Sequence, residues 1–495
     1  MSSNPNPAVA QAAEVQTNEL SLLDSIVAEG RFGRELSQQA RGKDMVKEFI
    51  NQVLQGQMTL SRDAEQTIAN RIAQIDQLIS KQLNEVLHNE KFQKLEATWR
   101  GVKYLMDQSE TSASLKIKLF NAPKKDLLKD LQRAPEFDQS QLFKKVYEEE
   151  FGTFGGAPIA ALVGDYEFGR GPEDMELLEK VAQVASAAHA PFLSAASPEM
   201  MNLNSFTQIS GVRDMSKVFD STEYAKWKSF RQSDDSRYVA LTMPHILMRE
   251  PYGQDSRTIE AFAFEEGVDG TDHAKYLWGN AAYGLAARLT NSFARFGWCA
   301  AIRGVENGGL VEGLPVHNFR TDEGDIALKC PTEVSITDRR DKELSDQGFV
   351  SLVHCKGTDS AAFFAVQTAN KPKLYDKPEA NANAKLSAQL PYIMAMSRFA
   401  HYLKAMMRDK IGGTMSRSQA QQFLNQWVAN YVIEDDNAGP AAKAEKPLRE
   451  ARIEVMEVPG NAGKLRAVAF LRPHFMLDEL TVSLRLVAEL PSPKS

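Results

Sequence analysis

The chain has 495 residues, more than one hydrophobic core usually serves, so two or three domains are expected. Hydrophobic residues make up 43% and charged residues 25%, and the net charge of −7 comes with no dense block of Lys and Arg, which argues against nucleic-acid binding. Three cysteines, Cys299, Cys330 and Cys355, form no CxxC pair and suggest neither a disulfide framework nor a zinc site, and no apolar stretch approaches the roughly 20 residues of a membrane helix.

The N-terminus shows no basic segment followed by an apolar run, so no Sec-type signal peptide is expected and the protein is expected in the cytoplasm. Residues 1–18 are small and polar, a composition expected to be disordered. Leu20, Leu22, Leu23, Ile26 and Val27 then predict a short amphipathic helix or a segment that orders only on a partner, and Val46, Phe49, Ile50, Val53 and Leu54 line one face of another helix. These faces can pack on their own domain or form an arm that docks on another chain; the polar leader and Gly30, Gly33 and Gly42 favour the arm. After Leu60, Ser61 predicts the cap of a long helix. Its stripe of Ile68, Ile72, Ile75 and Ile79, extended by Leu83, Val86 and Leu87, is expected in the core, being too short for several clean heptads. A further helix carries Phe92, Leu95, Trp99, Val102, Tyr104 and Leu105.

From about Ala113 the period changes. Leu115–Leu119 alternates as a strand, and Ala157–Val163 reads as a short strand ending at Gly164-Asp165. A helical pattern over Met175–Ala188 and a strand at Pro191–Ser194 complete a strand–helix–strand unit. Further strands are expected at Tyr238–Met243, Ile259–Phe264, Gly297–Ile302, Phe349–Val353 and Ala361–Val366, with a helix-rich segment over Ala274–Phe296. The middle of the chain is therefore α/β. Asn370–Pro378, with two prolines, reads as a boundary.

A helix from about Pro391 turns Ile393, Met394, Phe399, Leu403, Met406 and Met407 inward and ends at Gly412-Gly413. Ser416 and Gln419 have capping-box spacing, followed by a stripe of Ala420, Phe423, Leu424, Trp427, Val428, Tyr431 and Val432. Residues 434–446 read as a flexible linker into a hairpin over 452–471, whose turn residues lie at 459–464. A last strand, Leu480–Leu490, sets Leu480, Val482, Leu484 and Leu486 on one face. Such a strand can close its own sheet or be donated to a neighbour's, and its residues alone do not choose.

No catalytic centre emerges. Walker-A, GxSxG and HExxH patterns are absent, and Gly152-Thr-Phe-Gly155-Gly156 precedes a strand, not a helix. The eight histidines have no ligand-like spacing. Asp234-Asp235 before Arg237, and Asp338-Arg339-Arg340-Asp341, read as salt-bridged loops. An enzyme reading would rest on a strand-end loop such as Gly164-Asp165-Tyr166. A structural or interaction protein leads, with no cofactor expected.

Several strings resemble the large sheath subunit of the type VI secretion system, the TssC/VipB family. They include Leu95-Glu-Ala-Thr-Trp99-Arg100-Gly101, Pro191-Phe-Leu-Ser-Ala-Ala-Ser197-Pro198, Arg249-Glu-Pro251-Tyr252-Gly253, Tyr276-Leu-Trp278-Gly279-Asn280 and Ser397-Arg398-Phe399-Ala400-His401-Tyr402. The resemblance runs from about residue 42 to the C-terminus. It implies an N-terminal helical arm over 1–60, a sheath α/β domain over 61–375, and a tail-sheath (gpW/gp25-like) domain over 376–495 with an exchanged terminal β-strand, an α/β and α+β fold. The implied partners are a small sheath subunit (TssB/VipA), further copies in a helical polymer, the Hcp inner tube, the baseplate, and the ClpV ATPase acting mainly through the small subunit. No nucleic acid or direct membrane insertion is implied.

With that resemblance, three residue sets become candidate interfaces. Leu480, Val482, Leu484 and Leu486 are expected to augment a neighbour's sheet, with Ile453, Val455, Val468 and Phe470 in the receiving hairpin. Val46, Phe49, Ile50, Val53 and Leu54 are expected to dock the small subunit. Arg417, Gln421 and Asn425, on the nearly uncharged face of their helix, are expected to face the inner tube.

Overall fold

The computed structural model describes residues 36–54, 64–253, 257–259, 262–321, 323–411, 413, 415–435, 437–457 and 465–474. The chain divides into two compact units, Met1–Val86 with Tyr252–Glu266, and Leu87–Pro251 with Gly267–Ser495.

In the first unit, α1 spans Leu36–Leu54 and α2 spans Ala64–Leu87. Arg71 of α2 donates to Gln52 of α1 at 2.5 Å, and Asn84 donates to the Glu265 carbonyl at 3.0 Å. Asn84 lies on the side of α2 where Ser80 is buried, whereas Arg71, seven residues before Leu78, flanks the apolar stripe. The isoleucine stripe expected in the core points outward instead.

The second unit begins with α3, Glu90–Asp107, capped by Asn89, whose side chain accepts from the Lys91 N–H. Its centre is a six-stranded sheet of β1 (Leu162–Phe168), β2 (Phe192–Ala196), β3 (Val239–Met243), β4 (Leu310–Val311), β5 (Phe349–His354) and β6 (Ala361–Phe363). The order is β1-β2-β3-β5-β6-β4. The first four run parallel, and β6 and β4 each pair antiparallel. Parallel pairs need long crossovers, and helices supply them: α4 (Pro172–Ala188), α5 (Ala225–Gln232), α6 (Ala282–Phe296) and α7 (Asp338–Asp346).

Both sheet faces are covered, as a parallel sheet requires. Alternation along each strand divides the core: Phe192, Val239, Leu241 and Phe349 meet Leu178 and Val181 of α4 and Trp227 of α5. Leu193, Ala240, Val350 and Leu352 meet Leu285 of α6 and Leu105 of α3. The close α3–α6 approach needs a glycine, because a Cβ on Gly101 would fall inside the van der Waals envelope of the Tyr283 ring. Gly101→Ala should therefore destabilise by about 1–3 kcal/mol, read as a lower urea midpoint with an unchanged slope.

Several sequence expectations are corrected. Leu115–Leu119 forms no strand: the chain turns at Ser112–Leu115, and Lys118 pairs with Glu150. Trp298–Ile302 is a buried loop; Gly297 ends α6 at φ 74°, and the Ser292 hydroxyl donates to Trp298 O at 2.8 Å and accepts from Ala301 N at 3.2 Å. Its apolar run signals burial without a ladder. None of the described residues of Ile259–Phe264 is a strand, and that segment's frame is a reciprocal Tyr252–Glu266 bond pair. The helix expected from Ala274 starts at Ala282, because Trp278–Gly279 pairs with Ile246–Leu247. β1 starts only at Leu162 and runs through Gly164 and Asp165, so these residues form no strand-end loop; Thr98 hydrogen-bonds Asp165 there. Asp338-Arg339-Arg340-Asp341 opens helix α7, not a loop, and its arginines pair with Glu343.

Beyond residue 377 come α8 (Leu390–Asp409), α9 (Arg417–Ala429), β7 (Leu448–Glu457) and β8 (Leu465–Pro473). The linker expected over 434–446 carries a short helix, Pro440–Glu445, with Ala444 buried. Helix α8 returns to the central layer. His401 donates to the Ala188 carbonyl at 2.8 Å, Lys404 lies 3.8 Å from the Phe151 ring centroid, and Arg408 donates to the Thr153 carbonyl at 2.6 Å. Burial pushes His401 down to about 4, against the Ala188 bond, which favours the charged ring, so it donates as a neutral imidazole.

Candidate assembly interface

The C-terminal hairpin is the part of the second unit whose edges bear on assembly. Its cradle is helix α9. Ser416 and Gln419 form the predicted capping box, which fixes the helix start. Leu424 and Val428 then pack with Trp298, Phe399, Ile453 and Val455 in a separate small core. Trp298 stacks on Phe399 at 4.3 Å, and Trp427 and Tyr431 meet edge to face at 5.2 Å.

β7 and β8 pair antiparallel, with Ile453 opposite Ala469 and Val455 opposite Ala467. Ile453 and Val455 are buried toward α9. Val468 and Phe470 lie on the other face, opposite Glu454 and Arg452, and Arg452 covers the Phe470 ring at 5.2 Å.

The outer edge of β7 is already occupied at several positions. Asn425 accepts from Ile453 N at 2.9 Å and donates to Ile453 O at 2.7 Å, imitating a neighbouring strand. Gln421 accepts from Val455 N at 3.0 Å. Leu448 exchanges bonds with Tyr431 and Ile433. Two of the three residues expected to face an inner tube thus have their amides committed to the hairpin; Arg417 of the same helix is exposed. The signal was in the sequence: uncharged amides four residues apart can serve a strand edge as well as a ligand. By contrast, no described backbone group pairs with the outer edge of β8. Asn425→Leu, which leaves both Ile453 groups unbonded, should cost about 1–3 kcal/mol and speed amide exchange at Ile453.

The other expected sets are placed as follows. Val46, Phe49 and Ile50 of α1 are half-buried and Leu54 is exposed, while the Val53 side chain lies outside the described residues. Leu480, Val482, Leu484 and Leu486 also lie outside them.

Spacing gave no hint of one buried cluster. His245, just past β3, bridges Glu333 at 2.5 Å and Glu167 of β1 at 3.0 Å. His273 reaches Glu333 at 3.1 Å, and Ser205 donates to the same carboxylate at 3.0 Å. Burial alone would lower His245, but its two carboxylate partners outweigh burial and hold it up at about 10. Burial likewise opposes ionisation of Glu333, yet the two histidines hold it down to about 2. The protonated His245 thus lies between two carboxylates, and the cluster reads as a clamp between β1, the end of β3 and residue 333. Among the described residues no group of three or more His, Cys, Asp or Glu is arranged to hold a metal ion, and no helix is long and apolar enough to cross a membrane.

Two family profiles match this two-part chain. The VipB (EvpB) tail sheath N-terminal domain covers residues 69–370, and the tail sheath gpW/gp25-like domain covers residues 379–490. Their succession defines the class, a contractile tail-sheath subunit. The chain is also 46% identical to the type VI secretion system sheath protein TssC1 of Pseudomonas aeruginosa, over 99% of both chains. It belongs to the VipB/TssC family, the large subunits of type VI secretion sheaths. Among solved structures, the anti-feeding prophage baseplate aligns with a TM-score of 0.34 at 10% identity, covering 63% of this chain and 66% of that one. The contracted helical sheath of the same prophage aligns with a TM-score of 0.31 at 9% identity, over the same shares.

Proposed function

We propose that this chain pairs with a small sheath subunit of the TssB/VipA kind, and that the heterodimers stack helically around an Hcp inner tube. On firing, the polymer shortens and widens and drives tube and spike into a target cell. It starts from a baseplate in the cytoplasm, within a membrane-anchored machine, and the ClpV ATPase recycles it mainly through the small subunit. The role is structural, not enzymatic. The observation that carries this reading is the hairpin, one edge of which is bonded by Gln421 and Asn425 while the other, on β8, has no partner among the described residues. A terminal segment with an apolar period of two, Leu480–Leu490, follows it in sequence.

A sheet edge that can take up a neighbour's strand suits a machine that must change shape without coming apart. Main-chain bonds between neighbours persist while the connecting segments reorient. Arg417 stays a candidate for tube contact. Co-expression with the small subunit tests the reading: salt-resistant tubes are expected, and a discrete complex at every concentration would overturn it.

A further inference from the structure

The second half of α8 meets the central layer through a cluster of aromatic and cationic groups. His401 Nε2 donates to the Ala188 carbonyl at the end of α4, and its Nδ1 accepts from Arg398 Nη1 at 3.3 Å. His189 follows in the left-handed conformation, φ 51°, with its ring 6.2 Å from that of His401 and its Nδ1 3.1 Å from the Tyr238 hydroxyl. The Phe151 ring closes the cluster at 4.8 Å from His401. Lys404 covers Phe151 and donates to the Tyr147 hydroxyl at 2.8 Å, and Arg408 donates to the Phe151 and Thr153 carbonyls. Two imidazoles thus share a small space with three permanent cations, Arg398, Lys404 and Arg408. None of the five is bonded to a carboxylate of the described residues. Of the acidic groups on the packed elements, Glu148, Glu149 and Asp409 are exposed and Glu150 pairs with Lys118. Asp235 flanks Tyr238, where Arg237 opposes it.

This arrangement suits neutral rings only. A proton on His401 Nδ1 turns the acceptor of Arg398 into a second donor facing a guanidinium, and a charged His189 stands beside Lys404. The carbonyl end of α4 favours a cation, but burial and the neighbouring cations oppose one more strongly. Both rings are accordingly held below their ordinary value, His401 at about 4. We propose that the cluster is an acid-sensitive latch, in which protonation of His401 and His189 releases residues 397–409 of α8 from the central layer. Leu390 and Met394, buried with the sheet at the start of the same helix, stay in place as the pivot. The latch joins the two parts matched by different family profiles, α8 lying in residues 379–490 and its partners in residues 69–370. The direction follows from the depressed value. The contribution of His401 is complete above its ordinary 6.5 and is lost as pH falls toward 4.

The test is amide exchange of the full-length chain at pH 7.5 and pH 5, corrected for the intrinsic rate. Opening of residues 401–408 should rise about 30-fold or more between the two, while the central strands stay protected. The His245 clamp strengthens over this range, so it cannot supply the rise. The same measurement on the chain carrying His401→Gln and His189→Asn isolates the rings. Glutamine keeps a donor for the Ala188 carbonyl, asparagine accepts the left-handed conformation at 189, and neither takes up a proton. This variant should open no more at pH 5 than at pH 7.5. An equal rise in the variant, no rise in the unaltered chain, or a rise shared by the whole sheet would each overturn the latch. If the variant folds poorly, ring titration of the unaltered chain by nuclear magnetic resonance decides: His401 near 4 is expected, and a value near 6.5 would overturn the proposal.

Discussion

Proline at both Val482 and Leu484 should abolish long sheaths. Each proline removes a main-chain donor and puts a ring where a neighbouring strand must lie, so a donated strand loses its ladder at two places. A single main-chain bond is worth about 0.5–1.5 kcal/mol net, but in a polymer every junction repeats the loss. Val482→Ala with Leu484→Ala separates backbone from side chain. It keeps the donors and trims only the apolar face, so it should shorten sheaths without abolishing them. The readout is the fraction of chain that pellets as polymer after co-expression with the small subunit. A normal pellet from the double proline variant would remove the terminal strand from the mechanism. The structure supports this prediction through β8, whose outer edge has no described partner.

His245→Ala should be the costliest single change away from the assembly surfaces. It strips Glu333, whose side chain is only 5% exposed, of its closest partner and leaves two carboxylates facing each other. Breaking a buried pair costs about 3–5 kcal/mol, and the low end applies because Glu167 is half exposed and can turn to water. The pH profile gives a second readout. The folded value of His245, about 10, lies above its ordinary 6.5, so its contribution is complete below 6.5 and is lost as pH rises toward 10. Glu333, held at about 2 against an ordinary 4.5, contributes fully above 4.5 and loses that as pH falls toward 2. The clamp is therefore strongest between about pH 4.5 and 6.5. The variant should lose most there, and its urea midpoint should change less between pH 6.5 and 10 than that of the unaltered chain. Equal midpoints would contradict the clamp.

The parts legible in the sequence are those decided locally. The capping box at Ser416 and Gln419 and the strands at Val239–Met243 and Phe349–His354 follow from spacing within a few residues. The failures lie where distant contacts decide. Trp298–Ile302 is as apolar as a strand, yet Ser292 satisfies its backbone from a preceding helix. The α2 stripe has the period of a core face, and period does not say which side of a helix its own unit covers. Gln421 and Asn425 looked like a surface kept neutral for a ligand, while their partners are backbone groups at 453 and 455. The His245 clamp joins residues 78 and 88 positions apart, so no window along the chain contains it.

The most direct measurement is electron microscopy of the full-length chain co-expressed with the small subunit, beside a version ending at Asp478. Long hollow tubes from the full chain and none from the shortened one are predicted. Tubes of normal length from both would contradict the claim that the terminal strand links neighbouring subunits.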